Sequence, residues 1–370
     1  MKEIHMAGPW VTDQDIEIVV DALKNGWYGK DAYTYCELFE KEFAEYHDRK
    51  FGLMTPSCTT SLHLLLEALN IRDGDEVIAP ECTWVGSTAC ITYQRAKPVF
   101  ADIDEENWCL STETVKRVVS EKTKAVIAVD LFGNMPEYDD LKEFCDDNNI
   151  YLIEDAAEAL GSKYKGIRAG KHGIASTFSF HRTKTLTTGE GGMLLIDDEE
   201  LFERCKFLRD HGRQPGTWFN TEVTFKYMPF NVQAALGHAQ FLRIEELIGK
   251  KKSILKRYKE NLAGIDDLQM NYEPDYVENG VWSPAIIFGK SHNFSRDDAL
   301  EEFPKLNLPV RPFFYPLSSL PAYKDVDQGE EESPVAYDIS SRGINVPSAL
   351  NLTEADIDNY CEGVRKILGT

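Results

Sequence analysis

The stretch 174–193, IASTFSFHRTKTLTTGEGGM, decides how the rest of the chain is interpreted. It begins with a run of apolar, strand-forming residues, continues through polar residues around Lys184, and ends in the Gly-rich segment 189–192. A lysine that acts as a nucleophile must lose its proton, which requires a pocket that disfavours its charge. Glycine lets the backbone pass close to a flat ligand because it has no Cβ. The pattern therefore makes Lys184 a candidate nucleophile, although the same letters also describe a strand, a solvated lysine and a turn.

A lysine nucleophile beside a Gly-rich turn is typical of a Schiff base with pyridoxal 5′-phosphate (PLP). The phosphate of this cofactor needs hydroxyl and N–H donors, and Ser179, five residues before Lys184, is one candidate. The turn 55–61, TPSCTTS, opens directly into the apolar helix pattern LHLLLEALN. A helix that begins there presents free N–H groups and the positive end of its dipole, which suits a phosphate. Taken alone, this turn is more simply a helix N-cap.

Composition narrows the possible partners. The 370 residues are 42% hydrophobic and 28% charged, with a formal net charge of −22. This acidic balance argues against nucleic acid as a partner, and an anionic substrate would have to be met by a few local positive groups. Eight cysteines are scattered without a C-x-x-C pair, so neither zinc nor any other metal site, nor a disulfide framework, is indicated. The N-terminus lacks the apolar core of a signal peptide and no apolar run is long enough to span a bilayer, so we expect a cytoplasmic protein without a membrane partner.

The order of the patterns predicts the fold class. Strands are predicted at 51–54, 75–80, 98–104, 124–133, 150–162, 174–180 and 192–197. Helices are predicted at 12–24, 36–46, 62–70, 83–93, 112–121, 137–148, 199–211, 230–262 and 353–368. Strands that alternate with helices predict an α/β fold with a mostly parallel sheet between helices. After about residue 265 the alternation of strands and helices ends, and a strand at 281–289 and Pro-rich turns at 304–321 follow. We therefore predict a large domain at 1–264, with an N-terminal helical arm, and a smaller C-terminal α+β domain at 265–370.

Ligands of such sheets lie outside the carboxyl ends of the strands. Asp155, Trp84 and Lys184 all follow predicted strands, so we expect them to lie near one another. A carboxylate such as Asp155 is costly to bury unless it pairs with a cation, and the protonated ring nitrogen of PLP is one. The indole of Trp84 suits stacking on the face of that ring. Each residue also has an ordinary role, Asp155 as a helix N-cap and Trp84 in the core.

Together these segments resemble the DegT/DnrJ/EryC1/StrS group of nucleotide-sugar aminotransferases, PLP enzymes of fold type I. The resemblance extends nearly end to end, from GPWVTDQDI to LNLTEADID, and its most specific part is SFHRTKTLTTGEGGML. It implies that Lys184 carries the cofactor and moves the proton, that Asp155 pairs with the ring nitrogen, and that Trp84 stacks on the ring. It also implies that Glu158 lies near the PLP hydroxyl. Relatives that dehydrate the sugar carry His at the lysine position, so Lys184 favours amino transfer.

The resemblance also implies how the phosphate is held. Thr60 and Ser61 would offer backbone and hydroxyl contacts, and Ser179 another. The family places a G-Y-N-Y-R motif of the partner subunit against the phosphate, with Asn as the contact. The matching run here is T-F-K-Y-M at 224–228, in which Lys226 replaces the Asn and Met228 the Arg. A lysine still meets a phosphate as a point charge, and the shared site implies a homodimer.

The segment RPFFYPLSSLPAY, 311–323, resembles the sugar-binding turn of the branch related to perosamine synthases, which aminate C4 of a GDP-linked 4-keto-6-deoxy sugar. Candidate substrate contacts in it are Arg311, Phe313 and Tyr315, and His181 is a further candidate elsewhere in the chain. Weaker candidates are Arg182 and Arg213. The implied reaction takes the amino group from L-glutamate, passes through pyridoxamine 5′-phosphate, and gives it to a nucleotide-linked keto sugar whose nucleotide and ring carbon stay open. The alternatives are a sugar dehydratase and a non-catalytic regulator with the same fold.

Overall fold

The computed structural model describes residues 4–370. Residues 1–3, which belong to the predicted large domain and to the N-terminus predicted not to be a signal peptide, lie outside the described residues. The strands are β1 (Phe51–Thr55), β2 (Glu76–Pro80), β3 (Lys97–Ala101), β4 (Thr123–Val129), β5 (Tyr151–Asp155), β6 (Lys163–Tyr164), β7 (Ile167–Arg168), β8 (Ala175–Ser179), β9 (Gly192–Ile196), β10 (Leu268–Met270), β11 (Val277–Glu278), β12 (Ala285–Phe288), β13 (Arg311–Pro312) and β14 (Gly343–Asn345). The helices are α1 (Asp13–Asn25), α2 (Thr34–Tyr46), α3 (Cys58–Ala68), α4 (Gly86–Tyr93), α5 (Thr112–Lys116), α6 (Tyr138–Asp147), α7 (Glu199–Arg209), α8 (Asn231–Phe241), α9 (Ile244–Leu262), α10 (Arg296–Lys305), α11 (Pro334–Arg342) and α12 (Glu354–Leu368).

A seven-stranded sheet with the order β1-β9-β8-β5-β4-β2-β3 forms the centre of the chain. The pairs from β8 to β3 are parallel, and β9 runs antiparallel to both of its neighbours. Strand β2 is buried at every position, which is expected when helices cover both faces of a sheet. The predicted α/β fold with a mostly parallel sheet between helices is therefore confirmed.

Side-chain caps fix where the first helices begin. Thr12 accepts a hydrogen bond from the backbone of Asp15, whose carboxylate in turn accepts one from the N–H of Thr12, so α1 starts where the sequence predicted. Ser57 and Thr60 form the same reciprocal pair at the start of α3. Because Ser57 directly follows the turn after β1, this cap places the N-terminus of α3 at the carboxyl end of the sheet.

Several predicted elements have other bounds in the structure. The predicted strand 150–162 ends at Asp155, and the residues after it form turns. The predicted helix 230–262 is broken at Arg243, which leaves the helical region and divides it into α8 and α9. The guanidinium of Arg243 lies 3.2 Å from the buried carboxylate of Asp15, a contact that sequence periodicity cannot register.

The C-terminal part contains a second sheet, antiparallel, with the order β10-β12-β14-β13. Its apolar cluster joins the end of α9, at Ile254 and Tyr258, to α12. Helices α10 and α11 were not predicted from the sequence, although Ser295 and Asp298 form a capping box that marks the start of α10. The division into domains at residue 264 stays a prediction. Among residues 4–370, no helix combines the length and the apolar character needed to cross a membrane.

Candidate active site

The carboxyl ends of three parallel strands bring the predicted residues to one edge of the large sheet. Asp155 is the last residue of β5, and Glu158 follows in the next turn. Lys184 comes five residues after Ser179, the end of β8. Trp84 comes four residues after the end of β2. The sheet therefore places these side chains where ligands of parallel α/β folds bind.

The amine of Lys184 has two contacts. Its Nζ lies 3.1 Å from Oε1 of Glu158, and the lysine side chain is only 12% exposed. The same Nζ lies 3.8 Å from the centre of the Trp282 ring. The indole N–H of Trp282 donates to the carbonyl of Thr183, at 2.9 Å, so the ring is fixed against the backbone next to the lysine. Trp282 was not predicted as a site residue, because it lies far along the chain in a segment without a recognisable motif.

Glu158 is held as a buried carboxylate. Its second oxygen accepts the backbone N–H of Phe132 at 3.0 Å. Phe132 adopts a left-handed φ of 55°, an uncommon conformation for a residue with a side chain, in the turn after β4. Burial raises the pKa of Glu158, and the charge of Lys184 and the Phe132 N–H act in the opposite direction. The lysine and the backbone therefore support the ionised form in a place where burial disfavours it.

Asp155 is 2% exposed and has three donors around it. Ser87 donates to Oδ2 at 2.7 Å, whereas the N–H of Ala157 and the thiol of Cys58 approach Oδ1 at 3.1 and 3.6 Å. Burial raises the pKa of Asp155, although the hydrogen bonds from Ser87 and Ala157 and the charge of Lys184 lower it. A buried carboxylate that lacks a cationic side chain in direct contact is suited to a ligand that brings its own positive charge.

The start of α3 meets β9 at the same edge. A Cβ at Gly192 would lie 2.5 Å from the carbonyl carbon of Ser57 and 2.6 Å from the nitrogen of Cys58, so only glycine permits this approach. Gly192 also pairs with Ser179 in the sheet, which places the Ser179 hydroxyl beside the helix N-terminus. The N–H groups of Cys58 and Thr59 begin the helix and have no intrahelical partner there. This corner offers the donors that a phosphate requires.

The predicted contacts of Thr60 and Ser61 need correction. The hydroxyl of Thr60 is part of the cap, where it bonds to the carbonyl and the N–H of Ser57. Ser61 is fully buried, its hydroxyl lies 2.6 Å from that of Thr55, and its N–H donates within the helix. The side chain of Thr59, which was not predicted, is partly exposed near Gly86 and Trp84, which makes it a further candidate for a phosphate contact. The spacing S-x-x-T at Ser57 and Thr60 is the sequence signal for the capping box, and it makes Ser57 the N-cap of the helix.

Trp84 is 63% exposed although it lies at the centre of the site. A Cβ at Gly86 would lie 2.8 Å from the hydroxyl of Thr59 and 3.0 Å from the indole of Trp84, so Gly86 allows both side chains to approach. The ring of Phe314 is 6.2 Å from that of Trp84. Phe313, predicted as a substrate contact, is instead fully buried against Trp108, so the neighbouring Phe314 is the aromatic residue at this edge.

Three aromatic rings form a stack that reaches the lysine. Phe132 stacks on Phe314 with ring centres 5.3 Å apart and on Trp282 at 5.8 Å, with interplanar angles of 8° and 13°. Flat rings in near-parallel planes form a rigid, apolar boundary. This wall, formed by Phe132, Phe314 and Trp282, borders the amine of Lys184.

Two arginines influence the same imidazole as Lys184, that of His181. The guanidinium groups of Arg182 and Arg311 have no carboxylate partner among the described residues 4–370. Burial lowers the pKa of Arg311, and the charge of Arg182 acts in the same direction. Burial also lowers the pKa of His181; Glu190 opposes this shift, and Lys184, Arg182 and Arg311 reinforce it. In a chain with a net charge of −22, two arginines without a carboxylate partner are candidates for binding an anion.

Other predicted residues lie elsewhere in this chain. Lys226 pairs with Asp210, with 2.6 Å between the charged atoms, and Arg213 binds the same carboxylate. Tyr315 is partly exposed and lies under the guanidinium of Arg296, at 4.2 Å. Met228 borders a groove beside the 210–218 loop, with a volume of about 450 Å³. A contact of Lys226 with the cofactor of a second subunit stays a prediction.

These residues fit PLP. An ionisable carboxylate faces one end of the site, a nearly buried amine lies at the other, and an exposed indole is free to cover a flat ring. The N–H groups at the start of α3, with Ser179 and Thr59, would hold the phosphate. Because Gly192 has no side chain, its backbone approaches Ser57 closely, and the backbone N–H groups at this corner stay accessible to a phosphate.

Comparison with known proteins agrees with this chemistry. The model of the DegT/DnrJ/EryC1/StrS aminotransferase family matches residues 9–365. A GDP-perosamine synthase from Vibrio cholerae is 35% identical over 346 residues, which are 93% of this chain and 94% of that protein. A GDP-perosamine synthase from Escherichia coli O157:H7 is 34% identical over 370 residues, covering 99% of both chains. Among solved structures, the PLP form of a putative sugar aminotransferase from Streptococcus pneumoniae has a TM-score of 0.92 and 28% identity, and covers 100% of this chain and 99% of that one.

Proposed function

The chain belongs to the DegT/DnrJ/EryC1/StrS aminotransferase family and uses PLP, and from this premise we propose that it moves an amino group from L-glutamate to C4 of a GDP-linked 4-keto-6-deoxy sugar. The observation that carries this proposal is the pairing of the Lys184 amine with the buried carboxylate of Glu158, at 3.1 Å, on the strand edge that also carries Asp155. A dehydratase would lack the lysine, and a scaffold would have no need of the buried acids.

Each residue has a separate task in this reaction. Bound PLP supplies an electron sink for the carbon that bears the amino group. Asp155, held by Ser87 and Ala157, keeps the ring nitrogen protonated. Lys184 would take the proton from the carbon that bears the amino group of the donor and would deliver a proton to the cofactor. On the sugar it would carry out the same two proton transfers in the opposite order. Glu158 orients the amine between these steps through its 3.1 Å contact.

The choice of sugar rests on two features. The GDP-perosamine synthases of Vibrio cholerae and Escherichia coli share about a third of their residues with this chain over nearly its whole length. The unpaired guanidinium groups of Arg182 and Arg311 suit the diphosphate of a nucleotide sugar. The apolar wall of Phe132, Phe314 and Trp282 suits a deoxy sugar better than a fully hydroxylated one.

We also propose that the active form is a cytoplasmic homodimer. The loop after α7 exposes Trp218 at 91%, Phe219 at 66% and Val223 completely. An exposed apolar segment of this kind usually marks an interface between proteins. Lys226 lies on the same loop, so a two-fold arrangement would carry it towards the partner's site.

The test is a screen of GDP-, dTDP- and UDP-linked keto sugars with L-glutamate, in which release of 2-oxoglutarate and the mass of the amino sugar are measured. We expect turnover with a GDP-linked 4-keto-6-deoxy sugar and a much lower rate with the dTDP- and UDP-linked sugars. Turnover with only dTDP- or UDP-linked sugars would show that the substrate is not GDP-linked. If glutamate releases no 2-oxoglutarate from the PLP-loaded protein, the donor is wrong.

A further inference from the structure

We infer that Lys251 is a positioning residue for the amine of Lys184 and that it acts through Trp282. The inference rests on the proposed function in one respect, that Lys184 is the residue that binds the cofactor. Lys251 belongs to α9, far from the cofactor edge in sequence, and no motif singled it out. Three observations, on its burial, on the turn that it holds and on the ring that this turn carries, support the role.

Lys251 is a buried cation without a carboxylate partner among residues 4–370. It is 1% exposed, and its amine donates to the carbonyl of Trp282 at 2.8 Å, the carbonyl of Ser348 at 2.7 Å and the Ser348 hydroxyl at 3.1 Å. An ammonium group has three protons, so all of its donors are used. Burial and, to a lesser extent, the charge of Lys184 together lower the pKa of Lys251 to about 7. An apolar side chain would fill this space without that cost, so the position calls for an explanation in terms of its hydrogen bonds.

The turn that Lys251 holds is strained. Val281, directly before Trp282, has a φ of 56°, in the left-handed region that a β-branched residue rarely adopts. Val281 is buried, and its N–H donates to Oδ1 of Asn279 at 2.7 Å. A strained residue persists only where its surroundings fix it. Asn279 fixes the turn before Val281, and Lys251 fixes the next carbonyl.

This turn carries the ring that contacts the lysine. The Trp282 ring centre lies 3.8 Å from Nζ of Lys184, and its N–H donates to the carbonyl of Thr183. The path from Lys251 to Lys184 therefore consists of one hydrogen bond, one residue and one cation–ring contact. Without the Lys251 amine, the carbonyl of Trp282 keeps only the Ser348 hydroxyl, at 3.1 Å, as a donor, and Ser348 itself loses its contact with the amine, so the strained turn is held less firmly. The amine of Lys184 would then keep Glu158 but lose a fixed position over the ring.

The experiment measures how fast Lys184 binds PLP in the full-length protein after the cofactor has been removed. The variants are Lys251→Met, Trp282→Leu and the double variant, with Lys252→Met as the control, because Lys252 is the next residue and pairs with Glu278 at the surface. Covalent attachment is followed by the absorbance of the lysine-bound cofactor. In parallel, acetic anhydride labels amines in the cofactor-free protein, and peptide mass spectrometry gives the ratio of labelling at Lys184 to that at the exposed Lys256.

We expect Lys251→Met and Trp282→Leu to slow attachment by about tenfold to a hundredfold, since small displacements of a reacting group have effects of that size. The Lys184 labelling ratio should change in both variants while circular dichroism stays unchanged. The double variant should be no slower than the slower single one, and Lys252→Met should behave as wild type.

Attachment and labelling at wild-type levels in Lys251→Met would overturn the inference, as would effects of the two single variants that multiply in the double one. If Lys251→Met does not fold, Trp282→Leu decides, because a wild-type rate there removes the proposed path. If the wild-type protein attaches no PLP at Lys184, the proposed function fails, whereas the labelling ratios still test Lys251.

Discussion

The hydroxyl of Ser87 donates a hydrogen bond of 2.7 Å to Oδ2 of Asp155, and both side chains are buried. Ser87 lies in the first turn of α4 and Asp155 at the end of β5, so the bond joins two elements across the floor of the site. It favours the ionised carboxylate in a place where burial raises its pKa. Keeping this buried carboxylate ionised costs stability, and the positive charge of a bound PLP ring would offset that cost.

The first prediction concerns Asp155→Asn, which keeps the shape and removes the charge. A carboxyl group whose pKa is raised on folding destabilises the protein as the pH rises above its unfolded value, 3.8 for Asp. The variant should thus melt at the same temperature as wild type or higher at pH 8. Turnover should fall by about a hundredfold or more, as when other preorganised electrostatic partners are lost. Thermal melts and the glutamate half-reaction measure the two effects.

Asp139→Asn is the matched control, because Asp139 pairs with Lys165 at the surface and should affect neither quantity. An Asp155→Asn enzyme that retained more than a tenth of its turnover would show that the ring nitrogen is protonated without help from this residue.

The second prediction concerns Lys184→Ala, which should abolish covalent attachment of PLP. Glu158 would then be left buried without its cation. Its pKa, already raised by burial, should rise further, because the charge of Lys184 lowers it. Stability should consequently be lost as the pH rises, with a destabilisation on the order of 1–3 kcal/mol at pH 8 and less at pH 5. Denaturant unfolding at both pH values measures this.

Adding Glu158→Gln to Lys184→Ala removes the buried charge and should restore most of the stability at pH 8, still without attachment. Equal losses at pH 5 and pH 8 in Lys184→Ala would mean that Glu158 is not the source of the effect.

The third prediction separates Thr59 from Ser61. Thr59→Val removes a hydroxyl that lies near Gly86 and Trp84, and it should weaken PLP binding by roughly tenfold, the equivalent of about 1.4 kcal/mol. Ser61→Ala removes a hydroxyl bonded to Thr55 in the core, and it should cost about 1 kcal/mol of stability with unchanged affinity for PLP. Equilibrium titration of the cofactor and urea unfolding give the two values. Weaker PLP binding in Ser61→Ala with unchanged binding in Thr59→Val would instead assign the phosphate contact to Ser61.

Local sequence predicted the parts of the site that depend on neighbouring residues. The sequence predicted strands that contain Asp155 and Ser179, although it extended the first of them to residue 162, beyond its end at Asp155. Lys184 and Glu158 lie within a few residues of those ends, so the sheet alone brings them to one edge. The resemblance to the family added the cofactor and the reaction, which no spacing supplies.

Other parts depend on contacts between residues far apart in the chain. Trp282 reaches Lys184 only because the C-terminal part folds against the sheet edge, and Lys251 supports it from a helix whose sequence reads as an ordinary charged face. The hydroxyls of Thr60 and Ser61 bond to Ser57 and to Thr55, partners that the residue types in the turn do not reveal. The break at Arg243 depends on a partner 228 residues away, Asp15.

The last prediction concerns the unpaired arginines. Arg311→Gln should raise the KM for the nucleotide sugar by roughly tenfold, about 1.4 kcal/mol, because one of two positive groups is lost from the candidate anion site. Arg182→Gln should act in the same direction. The glutamate half-reaction should be unchanged in both, and the KM of the variants should depend less on salt than that of wild type, since fewer charges are screened. Arg257→Gln, at a surface ion pair with Asp358, is the control. A variant that slowed the glutamate half-reaction and left the sugar KM unchanged would instead assign the arginines to the carboxylates of the amino donor.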